Sequence, residues 1–241
     1  MTLERKYSKK SMNSKNGIVR VAGLAYILII VIGVLNAIFI DSKLIIYEDI
    51  KLTVANIIAN EFLFRFGIAC ELILYVLVII LSVLLYIILK SVDKNLALLA
   101  MVFRVSEGLL GIIIVLIGFI VLSLSNNQVN TISVDKTQLN AMIGALLSAR
   151  ANGLYIILLL IGFGGILFLY LFYKSVYIPK TISVWGMFTY LSMLILSLIS
   201  ILIPGLPPLI EIVLFGLGTL FELTIGFWLL FKGINVQKIE E

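Results

Sequence analysis

Eight charged residues sit in or beside runs that are otherwise lipid-soluble, and these are the side chains whose types and spacing could do chemistry. Glu71, Arg104, Glu107 and Glu222 fall deep inside apolar runs, while Glu61, Arg65, Arg150 and Glu211 lie near the ends of such runs. A charge at the centre of a bilayer costs at least about 2.5–3.5 kcal/mol, so each deep one needs a partner, a proton or a ligand. Glu61 and Arg65 are four apart and Arg104 and Glu107 three apart, spacings that put each pair on one helical face. The outer layer is then neutral, with Arg150 and Glu211 left to pair across helices. Arg65 stands about 120° around a straight helix from Glu71 and cannot be its partner. Glu71 and Glu222 are therefore deep carboxylates with no cation assigned by spacing. The expected candidate site is a polar midplane cavity built from Glu71, Arg104, Glu107 and Glu222, taking a proton, a cation or a small polar molecule. The alternative is that these carboxyls only hydrogen-bond between helices and fix their packing.

Each deep glutamate has a glycine four residues away on its own face: Gly67 with Glu71, Gly111 with Glu107, and Gly218 and Gly226 around Glu222. Small residues at that spacing let helices approach or leave room for water. The single cysteine, Cys70, lies inside a span and reads as a small core residue, and it permits no intrachain disulfide. Without histidine there is no histidine general base, no Ser-His-Asp triad and no H-E-x-x-H zinc site. All four aspartates (Asp41, Asp49, Asp93, Asp135) fall in connections, which removes an intramembrane aspartate dyad, and no P-loop or Rossmann glycine pattern appears. The sequence is therefore read as non-catalytic, with no cofactor and no metal ligand set.

The elements that must position these charges follow from composition. The 241 residues are 62% hydrophobic and 13% charged, with a mean hydropathy of +1.19, well outside the range of soluble domains. Six apolar runs, near 19–40, 62–89, 96–124, 151–173, 181–203 and 209–231, are long enough to cross a bilayer of about 30 Å, and in lipid they must be helices. The expected fold is all-α, a bundle of six transmembrane helices with short interfacial helices on the outer side. One of those is expected in "LTVANIIANEF", capped by Thr53, and a second after Asp135 through Leu139, Met142, Ile143, Leu146 and Leu147. They could lie on the membrane surface or fold over the bundle mouth.

Twelve Lys and Arg lie at the N-terminal end and in the connections after the second, fourth and sixth runs, against three (Lys43, Lys51, Lys136) in the others. That asymmetry places both termini in the cytoplasm, with Trp185 and Trp228 at the inner interface. The chain divides into a basic cytoplasmic tail over 1–18, a six-span domain over 19–232 and a cytoplasmic tail over 233–241. The first run follows a basic tail and ends in no cleavage pattern, so it is read as an anchored span of a cell-membrane protein. The net charge of +5 is scattered over span ends, which excludes nucleic acid as a partner. The partners expected are the lipid bilayer, a small polar ligand or cation, or another membrane protein. All four prolines lie in connections, and "IPGLPP" reads as a tight turn between the last two spans.

The stretches "RVAGLAYILIIVIG", "NIIANEFLFRFGIACEL", "DKNLALLAMVFRVSEGLLG", "YIPKTISVWGM" and "FELTIGFWLLFKGIN" run in order along nearly the whole chain. Together they resemble a bacterial family of multi-pass membrane proteins known as a domain of unknown function, DUF4386. The resemblance covers the Arg65 region, the Arg104 and Glu107 pair and the stretch from Glu222 to Lys232. It implies a membrane architecture and no particular activity.

Overall fold

The computed structural model describes residues 3–126, 135–203 and 207–235, with side chains described from residue 16 onward except at Pro208. Six helices in it are long and apolar enough to cross a membrane. The first span is a helix from Leu3 to Asn36 that passes into a π-helical turn, Ala37–Asp41, and a last turn, Ser42–Leu44. The others are Glu61–Leu89, Lys94–Ser125, Lys136–Ser175, Lys180–Leu202 and Pro208–Phe227, the last continuing as a π-helical turn, Trp228–Lys232. Each span packs against its neighbours in the chain and the sixth returns to the first, closing a ring. Ile18 near the start of the first span and Ile234 after the sixth line one cleft, and that end is called proximal below. The distal end corresponds to the outer side expected from the Lys and Arg asymmetry.

Aspartates start three of the helices. Asp49 accepts from the backbone N of Leu52, Asp93 from Asn95 and Leu96, and Asp135 from Thr137, each satisfying a donor that a first turn leaves unpaired. The cap of the short distal helix Ile50–Ala59 is thus Asp49, not Thr53. Thr53 is fully buried, where its hydroxyl accepts from the N of Ile46 and donates to its carbonyl, pinning the preceding connection to the helix. With Ile57 also fully buried and Ile50 against Gly144, this helix folds over the distal end of the bundle.

The second short helix expected after Asp135 does not exist as a separate element. Lys136–Ser175 is one helix of 40 residues, because no glycine-proline break separates its amphipathic start from its apolar body. Ile143 and Leu147 are fully buried in a distal cluster with Ile57, Phe64 and Leu122, whereas Met142 is exposed. The helix of the first span begins at Leu3 and runs without interruption through the basic stretch to Asn36. The turn expected at "IPGLPP" lies largely outside the described residues, as does the end of the C-terminal tail.

The "GFGG" stretch of the fourth span sets close approach. A Cβ at Gly164 would stand 2.6 Å from Arg104 Cγ, and one at Gly162 would stand 2.6 Å from the Cβ of Leu194. At the other seam, a Cβ at Gly23 would lie 2.7 Å from the carbonyl oxygen of Gly226, so glycines let the first and sixth spans cross with their backbones nearly touching.

Candidate functional site

The buried charges separate into two clusters at different depths. In the distal cluster, Arg150 of the fourth span pairs with Glu71 Oε1 of the second, and its Nη2 also lies 3.9 Å from Asp41 Oδ1. Asn36 of the first span donates from Nδ2 to Glu71 Oε1 at 3.2 Å and to Asp41 Oδ2 at 3.5 Å. The π-helical turn explains why Asn36 and Asp41 can act together. In an α-helix residues five apart point about 140° away from each other, but an i→i+5 turn stacks them. Two glycines make the room: a Cβ at Gly67 would stand 3.0 Å from Asn36 Oδ1, and one at Gly118 would stand 2.7 Å from Arg150 Nη1.

Exposure falls steadily through this cluster, from 35% for the Asp41 side chain to 15% for Glu71 and 9% for Arg150. At the dry end three polar atoms have no hydrogen-bond partner: Asn36 Oδ1, Glu71 Oε2 and Arg150 Nη1. Tyr47, in the connection above, lies within the electrostatic reach of Arg150, Asp41 and Glu71. Its phenol is held above the usual tyrosine range, first by partial burial, with Arg150 opposing and the two acids reinforcing. It therefore stays neutral at ordinary pH.

The deeper cluster holds Arg104 and Glu107 of the third span, Glu222 of the sixth, Tyr190 of the fifth and Tyr26 of the first. Arg104 Nη1 and Glu107 Oε2 are 2.7 Å apart with their side chains 4% exposed, a close charge contact whose angles do not make a hydrogen bond. Tyr190 donates to Glu222 Oε1 at 2.8 Å. Tyr26 feels Arg104, Glu222, Tyr190 and Glu107 together. Gly164 admits the stem of Arg104 and Gly165 the ring of Tyr190. Tyr75, whose ring lies in the notch at Gly111, is an electrostatic neighbour of both Glu71 and Glu107 and so stands between the clusters.

Of the four residues expected to share one midplane site, Arg104, Glu107 and Glu222 are brought together and Glu71 is not. Glu71 belongs with Arg150, which spacing had assigned to Glu211. Glu211 instead accepts from the Tyr155 hydroxyl at 2.8 Å. Glu61 and Arg65 do pair, at 2.6 Å, on the bundle surface with both side chains more than a third exposed. Asp41, placed in a connection by the sequence reading, is the partly exposed member of the distal cluster. Asn36, Tyr26 and Tyr190 are further members that charge counting does not flag.

The two clusters have the same charge inventory. Asp41 and Glu71 face Arg150, and Glu107 and Glu222 face Arg104, so each holds two carboxylates to one guanidinium. Each is one positive charge short of neutrality if all its acids ionise. Two clefts open at the proximal end, one of about 420 Å³ lined by Tyr177, Pro179, Trp228 and Lys232 among others, and one of about 120 Å³ beside Ile18 and Lys90. Neither is lined by a residue of either cluster.

No curated protein and no solved structure matches the chain. Residues 21–233 match the family model described as Domain of unknown function (DUF4386), a match that covers both charged clusters and runs from within the first candidate span to the end of the sixth. The chain belongs to the DUF4386 family.

Proposed function

We propose that this is a non-catalytic protein of the cell membrane, with both termini in the cytoplasm, that binds and moves a proton through its two interior charged clusters. The observation that carries this reading is the repeated inventory of two carboxylates to one guanidinium, at two depths, with Tyr75 between them. An uncompensated carboxylate in a low-dielectric interior is far more costly than a protonated one, and a proton needs no cavity of its own. Glu222, half-buried and held by Tyr190 beside the close Arg104–Glu107 contact, is the deep member to which the gain and loss of the proton are assigned.

A second reading, a partner or regulatory subunit whose charges only fix helix packing, is favoured by the dryness of the Arg104 and Glu107 pair. The two are separated by melting temperature measured against pH for the purified protein and for Glu222→Gln. Proton binding requires a pH response in the parent that the variant loses. Superimposable responses in the two proteins would overturn the proton reading at Glu222.

A further inference from the structure

We propose that Asp41 and Glu71 form a two-carboxylate site that holds one exchangeable proton and receives it from the distal side, with Arg150 and Asn36 as positioning residues. This deepens the proposed function by naming the entry site, and it rests on that reading for the direction of proton movement. Geometry brings the two acids together: one amide nitrogen, Asn36 Nδ2, donates to an oxygen of each, at 3.5 Å to Asp41 and 3.2 Å to Glu71. The charges acting on Glu71 are Arg150 and Asp41. Arg150 makes its close contact with Glu71 and only a 3.9 Å approach to Asp41, so one guanidinium cannot compensate both carboxylates.

The orphaned atoms provide a second, independent indication. Asn36 is 5% exposed and Arg150 nearly as buried, yet Asn36 Oδ1, Arg150 Nη1 and Glu71 Oε2 find no partner. A buried network left incomplete in this way is costly. A proton at Glu71 Oε2 removes the charge from the orphaned acceptor and converts it into a donor. No third carboxylate, cysteine or histidine completes a metal-binding group there among the described residues.

The other groups facing the site are accounted for element by element. The connection supplies Tyr47, the second span Tyr75 and, in electrostatic contact with Glu71, Cys70, and the third span the notch at Gly118. None of these adds a cation. The gradient of exposure gives the route: a hydronium ion at the distal face gives its proton to a carboxylate oxygen of Asp41 and is left as water, and that Asp41 O–H bond then breaks as an O–H bond forms at Glu71, leaving Asp41 ionised again. The π-helical turn is what carries Asp41 into this position.

The test is melting temperature against pH in lipid nanodiscs for the parent, Asp41→Asn, Glu71→Gln and, as a control from the same layer, Glu211→Gln. A proton bound by the folded protein and released on unfolding makes stability fall as pH rises. The parent and Glu211→Gln should show that fall, and Asp41→Asn should lose a one-proton slope from it. Glu71→Gln should match Asp41→Asn, and if it fails to fold, the partly exposed Asp41→Asn still decides. An unchanged slope in Asp41→Asn overturns the site. So does stabilisation by sodium over potassium chloride at fixed pH that disappears in Asp41→Asn, which would make the occupant a metal cation. A flattened slope in Asp41→Asn together with a Glu222→Gln response superimposable on the parent's would leave this site standing while the wider proton-path reading fails.

Discussion

Arg150 and Glu71 form an ion pair between the fourth and second spans, 79 residues apart in sequence, with Asn36 and Asp41 of the first span closing over it. Removing one member of a buried pair leaves a charge that the bilayer interior cannot solvate. Arg150→Gln should destabilise by about 3–5 kcal/mol, and the Glu71→Gln, Arg150→Gln double variant should cost less than the sum of the singles. Denaturant unfolding in micelles measures both, and strictly additive losses would show that the two do not act as a unit.

The deeper pair invites a steric test as well as an electrostatic one. Gly164→Ala places a methyl 2.6 Å from Arg104 Cγ, which forces the arginine stem aside and should cost about 1–3 kcal/mol. Gly216, with nothing within 4 Å of its Cβ position, is the control: Gly216→Ala should be neutral or stabilise by up to about 1 kcal/mol through helix propensity. Equal effects at the two glycines would remove the argument that Gly164 exists to admit Arg104.

Tyr190→Phe deletes the hydroxyl that donates to Glu222 Oε1 and leaves that half-buried acceptor without its partner. A loss of about 1–3 kcal/mol is expected, and in the Glu222→Gln background the same change should cost less, since an uncharged amide is less dependent on that donor. A Tyr190→Phe penalty that is the same in both backgrounds would count against the contact.

What the sequence made legible was the set of relations that one helix contains. The six spans follow from run length, and the Arg104–Glu107 and Glu61–Arg65 pairs follow from spacings of three and four. The relations it concealed are lateral or depend on irregular backbone. Which span lies beside which decides that Arg150 meets Glu71 and that Glu211 meets Tyr155, and no spacing rule carries that information. Asp41 was hidden by the π-helical turn, since a 3.6-residue period points it away from Asn36 and toward the connection. Tyr26 and Tyr190 were hidden because tyrosines in an apolar run read as core. The glycines beside the glutamates were visible, and their neighbours give the reason: Gly67 admits Asn36, Gly111 admits Tyr75, Gly218 admits Met193 and Gly226 admits the first span.

Topology is open to labelling. In a background lacking Cys70, cysteines placed at Ser8 and Gln237 should resist a membrane-impermeant thiol reagent in intact cells, while one at Asn127 should react. Labelling of either terminus from outside would invert the assignment of the distal end to the outer surface, and with it the direction of proton entry.

The central claim, that the two clusters pass a proton, is tested most directly by proton flux into vesicles. The purified protein is reconstituted with a pH-sensitive dye inside, and a pH gradient is imposed together with a potassium diffusion potential. The parent should acidify the lumen faster than protein-free vesicles, Glu71→Gln and Glu222→Gln should each fall to the protein-free rate, and Glu61→Gln, on the bundle surface, should keep the parent rate. A parent rate equal to that of protein-free vesicles, or full flux through both glutamine variants, would contradict the account.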